Sequence, residues 1–574
     1  MRVYRIFSLM CIFLVLFTLL LGKIFYYQVI CGEKIAKQAT TMRSKQITLK
    51  EYSRGDILDR NGLALTDNTV SSALYCLPYE LARNYSAVHM TSPEQAFNYV
   101  ANQLAKQINS IDVKELATNL HNATKKGTPL VRVATNLSDD DINKINSCNL
   151  EGAVIAPFIN RYESNGFCSH IIGYLQGRDK SQGVAGIEKQ YDDVLNSNLL
   201  SPKLISVNDA RGKAIQGLMF KISSDYKPDK GLVVLTIDKR IQKVIEENMD
   251  KRVKKGAIVV MDIRSKEILG LASRPSFDPN DMSTAITSKK DSPFYNRALN
   301  SYYPGSLFKI LVATAALEEG KVSLEDNFNC DGAYDFTEST SISCWKEEGH
   351  GTLNFLQAFA QSCNPTFIEV GLDLGRDKLK QYADKLHLTD ENINGWLETN
   401  SQNSYVKINS GRAGIGNACL GQQGIMLTPV QLTNLIATIA NDGKWGPPSI
   451  TKYSVDQAGS KHITKTNTLE QVISIDTARK VQLLMEGVVT NGTGKSVSLP
   501  SIKIAGKTAT SQTGNYQADH QEILNTWFGG YFPADNPKWA LVVMVEEGTS
   551  GAVDAAPIFK AVTSGILDIF SIID

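Results

Sequence analysis

The segment YPGSLFK at positions 303–309 carries the strongest structural signal in this sequence. A Pro-Gly pair precedes a long apolar run that stops at Gly320, and such a start and end mark the two termini of a helix. The run is apolar on nearly every side, which predicts a buried helix. Ser306 and Lys309 stand three residues apart, so they are neighbours on one face of its first turn.

That placement favours a catalytic role for Ser306 and Lys309, as nucleophile and base. A buried Lys loses hydration, which lowers its pKa and lets it accept a proton. A Ser beside it, at the positive end of a helix, becomes a nucleophile. Because S-x-x-K is a common tetrapeptide, the pair needs support from the rest of the chain.

A second motif consists of Ser362 and Asn364 on either side of Cys363. It follows a predicted helical run at 353–360 and precedes a proline, which places it in a tight connection. A hydroxyl and an amide two residues apart can point into one cleft. Taken alone, the pattern is also ordinary turn chemistry.

A third motif, GKTAT at 506–510, follows residues 502–504, whose alternation predicts a strand. On an edge strand, Lys507, Thr508 and Thr510 could hold a substrate carboxylate while backbone N–H groups face a carbonyl. A solvated surface strand is the alternative for this motif alone.

The remaining pattern predicts an α+β protein. The region 54–227 is mixed, with a helix at 93–110 and a strand at 152–156, and a turn-rich boundary follows at 226–231. Strands then open and close a second unit with helices between them, which is typical of an antiparallel sheet flanked by helices. The predicted strands of this unit are 232–236, 256–263, 267–273, 526–532 and 538–545, with a helix at 239–251.

Composition and charge narrow the function. The chain has 574 residues and a net charge of only +1, so it lacks the excess of basic residues that is typical of nucleic-acid-binding proteins. Arg2 and Arg5 precede an apolar run at 6–22, and aromatic residues follow at 24–27. We predict an uncleaved single-pass anchor with a cytoplasmic N-terminus and an extracytoplasmic catalytic part, rather than a signal peptide, since no small-x-small cleavage site follows.

The three motifs in this order are the set found in penicillin-binding proteins and class A β-lactamases. The chain resembles the class B penicillin-binding proteins from about residue 50 to residue 565. The stretches that carry the resemblance, besides the motifs, are RGDILDRNG at 54–62, GIEKQY at 186–191, NRA at 296–298, TPVQ at 428–431 and WFGGY at 527–531.

The resemblance implies a domain order and a set of roles. The domains would be a cytoplasmic tail (1–5), a membrane anchor (6–27), an elongated α/β pedestal or dimerisation domain (48–227) and a transpeptidase domain (232–574). Ser306 would attack the penultimate D-Ala carbonyl of a peptidoglycan stem peptide, and Lys309 would take its proton. Ser362 would relay that proton to the leaving D-Ala, and Asn364 would bond the substrate backbone.

The same resemblance assigns the third motif and the partners. Lys507 and Thr508 would bind the terminal carboxylate, and the N–H groups of Ser306 and Thr510 would form the oxyanion hole. An amine from a neighbouring stem would complete a 4→3 cross-link, β-lactams would bind as inhibitors, and a membrane glycosyltransferase would supply the glycan strand. Ala509 departs from the usual glycine, and its methyl group should narrow the approach of some β-lactams.

Two other functions share these motifs: a D,D-carboxypeptidase or β-lactamase-like serine hydrolase, and a non-catalytic β-lactam-binding scaffold. The sequence does not distinguish elongation, division and sporulation roles.

Nine cysteines are unusual for an exported chain. Cys330, Cys344, His350 and Cys363 form a complete set of tetrahedral zinc ligands within one stretch. Some rod-elongation penicillin-binding proteins resemble this stretch and carry zinc at similar spacing. We therefore predict a structural Zn²⁺ that fixes Ser362 and Asn364 in place, with a Cys330–Cys344 disulfide or unpaired cysteines as alternatives.

Overall fold

A computed structural model describes most of the chain. The described residues are 2–35, 44–48, 54–66, 69–89, 92–108, 111–163, 165–176, 182–196, 203–208, 214–223, 231–288, 291–396, 404–464, 468–517 and 520–571. The predicted boundary at 226–231 falls outside them except for Gly231. The mixed α/β fold with one apolar helix at its N-terminal end confirms the predicted class.

The N-terminal helix Arg2–Phe25 continues into a π-helical turn, Tyr26–Ile30. Together, Tyr4–Ile30 are long and apolar enough to cross a membrane. Length and composition thus fit the predicted anchor.

The chain divides into two compact units that do not follow sequence order. The first contains 1–53, 70–159 and 198–228, and the second contains 54–69, 160–197 and 229–574. Two segments that precede residue 198 thus fold with the C-terminal part of the chain.

The first unit combines helices with two three-stranded sheets. Its core packs apolar side chains such as Phe97, Val100 and Leu104, which repeat at helical spacing. Its helices beyond the N-terminal one are Pro78–His89, Pro93–Ala105, Val113–Lys125 and Asp139–Ser147. Its strands are Ser44–Thr48 with Lys203–Asn208 and Ala214–Ser223, and Val131–Ala134 with Thr69–Cys76 and Ala153–Asn160.

The second unit is built on a five-stranded antiparallel sheet. Its strands are β1 (Gly256–Asp262), β2 (Ile268–Arg274), β3 (Ala505–Tyr516), β4 (Glu522–Phe532) and β5 (Trp539–Gly548), in the order β2-β1-β5-β4-β3. Strand β3 therefore lies at an edge. This strand begins at Ala505, and not at residue 502 as predicted. Residues 502–504 precede the strand, and Ile502 forms an isolated bridge with Leu499.

Helices cover this sheet and lie buried around it. Three of them are α1 (Lys309–Glu318), α2 (Asn364–Leu374) and α3 (Pro429–Ala440). The other α-helices in the described part of this unit are Ser169–Ile172, Gly186–Gln190, Asp192–Leu195, Lys239–Arg252, Met282–Thr287, Phe355–Ala360, Arg376–Lys385, Arg412–Cys419, Ile475–Thr490 and Ala556–Ser571. Residues 353 and 354 of the predicted helical run instead end a strand.

Short sheets complete the unit. A four-stranded sheet joins Asp56–Leu58, Leu232–Leu235, Thr451–Val455 and Lys461–Ile463. The two-stranded sheets pair Asn327–Cys330 with Gly351–Asn354, Ala333–Thr337 with Thr340–Ser343, Tyr405–Val406 with Ile425–Met426, Lys444–Trp445 with Glu470–Gln471, and Leu175–Gln176 with Gln182–Gly183.

A buried ion cluster ties the early segments into this unit. The carboxylate of Glu188, which has no solvent exposure, accepts from the guanidinium groups of Arg54 and Arg161 and from the hydroxyl of Tyr162. Since a buried charge is costly without partners, this cluster holds Arg54, Arg161 and Glu188 together.

Candidate active site

Ser306 lies in a 3₁₀ turn, Gly305–Phe308, that leads directly into α1. The turn is held by Gly305, whose N–H donates to Gly421 O at 2.9 Å. Gly305 has a φ of +55°, and a Cβ there would lie 2.8 Å from Thr510 O. Glycine at this position therefore allows the turn that carries Ser306 to approach β3 closely.

Ser362 lies between Ser306 and Lys309. Its hydroxyl donates to Ser306 Oγ at 3.0 Å, and Lys309 Nζ donates to both the hydroxyl (3.3 Å) and the carbonyl oxygen (2.9 Å) of Ser362. Lys309 Nζ also donates to Asn364 Oδ1 at 2.8 Å. The first two motifs thus form one hydrogen-bonded chain from Ser306 through Ser362 to Lys309.

The environment of Lys309 favours its neutral form. The side chain has no solvent exposure, and burial lowers its pKa to about 8, although nearby cysteine thiols oppose this shift. At that pKa, an appreciable fraction of the amine is deprotonated near neutral pH and can accept a proton.

The third motif lies on the edge strand β3. Lys507 is fully buried, and burial, together with the charge of Lys309, lowers its pKa well below the ordinary value. Its Nζ donates to Thr508 O at 3.3 Å. The Thr510 hydroxyl accepts from Gly551 N–H at 3.2 Å. A substrate carboxylate would restore the charged form of Lys507, because an opposite charge raises the pKa of a Lys.

Sequence reasoning missed Thr493, whose hydroxyl lies 2.5 Å from that of Thr508. Its only sequence signal is the turn pattern NGTG at 491–494. Trp345 follows Cys344 directly in the chain. Its indole N–H donates to Gln361 O at 2.8 Å and its ring meets His350 edge-on, yet the side chain is 57% exposed.

The four predicted metal ligands converge. The Sγ atoms of Cys330, Cys344 and Cys363 and one ring nitrogen of His350 all lie within 4.8 Å of one another. His350 Nδ1 is 3.5 Å from Cys330 Sγ and 3.6 Å from Cys344 Sγ. Tetrahedral Zn–S and Zn–N bonds would separate such atoms by about 3.6 Å, so the donor set fits zinc in identity and spacing.

The thiols of this cluster are electrostatically coupled. A hydrogen bond from Cys363 holds the pKa of Cys344 well below the usual value, while the same bond raises the pKa of Cys363. Cys363 is also the residue between Ser362 and Asn364, so the cluster and the hydrogen-bonded chain share a backbone segment.

Comparison with known proteins places the chain in a family. Residues 256–564 match the family model of the penicillin binding protein transpeptidase domain, and residues 50–215 match that of the penicillin-binding protein dimerisation domain. The chain is 30% identical to the stage V sporulation protein D of Bacillus subtilis, over 95% of this chain and 82% of that protein. It is 26% identical to the peptidoglycan D,D-transpeptidase FtsI of Escherichia coli K12, over 97% and 90% of the two chains.

A solved structure supports the same fold. The D,D-transpeptidase domain of a peptidoglycan glycosyltransferase from Eggerthella lenta superposes with a TM-score of 0.62 at 22% identity, covering 91% of this chain and all of that one. With the transpeptidase match spanning more than half of its length, this chain belongs to the penicillin-binding protein family, in the class B branch.

Proposed function

We propose that this protein is a membrane-anchored peptidoglycan D,D-transpeptidase that works through a Ser306 acyl-enzyme. The observation that carries the proposal is the hydrogen-bonded chain from Ser306 through Ser362 to a buried Lys309. The name of the Escherichia coli relative, a peptidoglycan D,D-transpeptidase, supports the same reaction class.

Acylation begins when Ser306 Oγ attacks the carbonyl carbon of the penultimate D-Ala. Its proton passes through the Ser362 hydroxyl to neutral Lys309, and the backbone N–H groups of Ser306 and Thr510 stabilise the oxyanion. The carbon–nitrogen bond to the terminal D-Ala then breaks. The proton returns through Ser362 to the leaving amine, which leaves an ester on Ser306.

Transfer reverses these proton movements. The amine of a second stem attacks the ester carbonyl and loses a proton toward Lys309, the ester carbon–oxygen bond breaks, and Ser306 regains its proton.

Other residues of the site bind the substrate. Before acylation, Lys507 and Thr508 hold the terminal carboxylate of the donor stem. Asn364 holds Lys309 through Oδ1 and bonds Ser343 O through Nδ2 at 3.0 Å, and each end of the amide retains capacity for a substrate bond.

The test is covalent labelling by a fluorescent penicillin. Ser306→Ala should remove the label without lowering the melting temperature by more than a few degrees, because Ser306 is only half-buried and bonds one side chain. A label that survives in Ser306→Ala would refute the assignment. A second assay measures the release of D-Ala from a stem peptide. Release that requires an amine acceptor indicates transpeptidation, and release without an acceptor indicates carboxypeptidase action. No release would favour a non-catalytic scaffold.

We propose further that Cys330, Cys344, His350 and Cys363 hold one structural zinc ion. When bound, the ion would be a purely structural cross-link between the four side chains. Holding Cys363 would fix the backbone on both sides of it, and thus the positions of the Ser362 hydroxyl and the Asn364 amide.

Elemental analysis of the full chain should find about one zinc per molecule, and Cys363→Ser should lose it. Cys76→Ser is the matched control, because Cys76 is a buried free thiol outside the cluster. Chelation should lower both the melting temperature and the acylation rate of the wild type. Absence of zinc, with Cys330 and Cys344 oxidised, would establish the disulfide instead.

The remaining proposals concern topology and partners. We propose a cytoplasmic tail at 1–5, an anchor at 6–27, a pedestal domain at 48–227 and an extracytoplasmic transpeptidase domain at 232–574, working with a membrane glycosyltransferase. The arginines at positions 2 and 5 support this orientation. Protease added outside spheroplasts should digest the C-terminal domains, and their protection would refute the topology.

A further inference from the structure

The turn at 491–494 is anchored to the segment that precedes the second motif. The N–H of Thr493 donates to Ala360 O at 3.1 Å, two residues before Ser362. A Cβ on Gly492 would lie 2.2 Å from Ala360 O, so glycine is what allows the turn to approach this closely. These backbone contacts hold Thr493 in place without using its side chain.

The side chain of Thr493 faces the third motif instead. Its hydroxyl lies 2.5 Å from the hydroxyl of Thr508 on β3. Thr493 is half-buried and Thr508 is 7% exposed, so water competes little for this contact. Each hydroxyl has one proton to donate and can also accept. Two oxygen atoms this close need a proton between them, so one of the two hydroxyls must donate to the other.

A bound carboxylate decides which of the two hydroxyls donates. In the proposed function, Thr508 holds the terminal carboxylate of the donor stem, and a carboxylate only accepts hydrogen bonds. Thr508 must therefore give its single proton to the carboxylate, and Thr493 must donate to Thr508 Oγ1. Hydrogen bonds in such a chain strengthen one another, because each one polarises the next.

Thr510, the other threonine of the third motif, has a comparable arrangement with a backbone donor. Its hydroxyl accepts from Gly551 N–H at 3.2 Å, which leaves its own proton for another acceptor. Thr493 supplies the corresponding donor behind the hydroxyl of Thr508.

We propose that Thr493 is a positioning residue, which directs the hydroxyl proton of Thr508 toward the carboxylate of the substrate. It acts through Thr508 and does not contact the reacting atoms. The role rests on the proposed acyl-enzyme function. It adds a determinant of specificity, because only a substrate with a free carboxylate benefits from Thr493.

The test uses two thioesters of N-benzoyl-D-alanine as substrates for the full chain in detergent. The leaving group is mercaptoacetate, which carries the carboxylate, or the neutral mercaptoacetamide. Loss of the thioester absorbance gives kcat/KM for each. Thr493→Val should lower kcat/KM about tenfold for the carboxylate substrate, because a bond to a charged group is weakened, and less than about threefold for the carboxamide.

Three further variants separate positioning from a structural role. Thr493→Ser keeps a hydroxyl and should stay within about twofold of the wild type on both substrates. Thr490→Val is the matched control, because the Thr490 hydroxyl donates to Glu486 O at 3.0 Å within its own helix. In a Thr508→Val background, Thr493→Val should have no further effect on the carboxylate substrate, since the hydroxyl that it directs is gone.

Equal losses for the two thioesters, or effects of Thr493→Val and Thr508→Val that add, would overturn the positioning role and leave Thr493 as a structural residue of the turn. Unchanged kinetics in Thr493→Val would overturn it as well. Should Thr493→Val fail to fold, Thr493→Ala takes its place in the same comparisons. A wild type that penicillin does not label would instead refute the proposed function, and this role with it.

Discussion

Replacing Lys309 with Met should remove both the acylation rate and its dependence on pH. With a pKa of about 8, roughly one tenth of the protein carries neutral Lys309 at pH 7, and about nine tenths carry it at pH 9. Because only the neutral amine accepts the Ser306 proton, the wild-type acylation rate constant should rise roughly tenfold over this range. In Lys309→Met the rate should fall by about 10²–10⁴-fold and become flat with pH.

The assay is stopped-flow acylation by a fluorescent penicillin at saturating concentration, from pH 6 to pH 10. Saturation keeps a carboxylate on Lys507, so that titration of this second lysine does not enter the profile. Lys266→Met is the matched control: Lys266 is also fully buried, and donates to Ala437 O at 2.8 Å, but it lies outside the site. The control should keep the wild-type pH profile. A wild-type rate that is flat or falls between pH 7 and pH 9 would refute Lys309 as the base.

Three further outcomes follow from the geometry. Glu188→Gln should lower the free energy of unfolding by about 3–5 kcal/mol in urea titrations, since it removes the carboxylate that pairs with Arg161 and one of the carboxylates, beside Asp192, that pair with the buried Arg54. No change would show that the cluster is solvated. Gly305→Ala should cost about 1–2 kcal/mol, because its φ is +55° and the added Cβ meets Thr510 O, and penicillin labelling should slow with it. Ala509→Gly should speed acylation by bulky β-lactams while lowering stability by about 1 kcal/mol; equal acylation rates would exclude the methyl group as a barrier.

Local signals predicted much of the fold. The Pro-Gly start and terminal Gly320 predicted a buried helix, and α1 is buried over Lys309–Leu317 and ends at Glu318. The strands predicted at 256–263 and 267–273 are confirmed by β1 and β2, which pair antiparallel. These elements were predictable because their hydrophobic pattern and turn residues agree with the tertiary structure.

Features that depend on distant residues were not predictable. The 3₁₀ geometry at Ser306 depends on the contact between Gly305 and Gly421, and the Thr493–Thr508 contact joins a turn to a strand. The sequence could predict that Ser306, Lys309 and Ser362 share a cleft. It could not predict that Ser362 lies between the other two, since that order depends on how the two helices pack.

The strand order of the five-stranded sheet has a consequence for how the protein is made. Strand β5, at the centre of the sheet, is the last strand in the sequence, and it pairs with β1, which is synthesised far earlier. In the proposed orientation, β1 and β2 emerge first on the outer side of the membrane, as a hairpin with an unpaired edge. The edge of β1 stays unpaired until β5, near the end of the chain, has also emerged. A chain that stops before residue 539 would lose the middle of the sheet rather than a dispensable tail, so we expect premature termination to yield an aggregation-prone product, not a shortened enzyme.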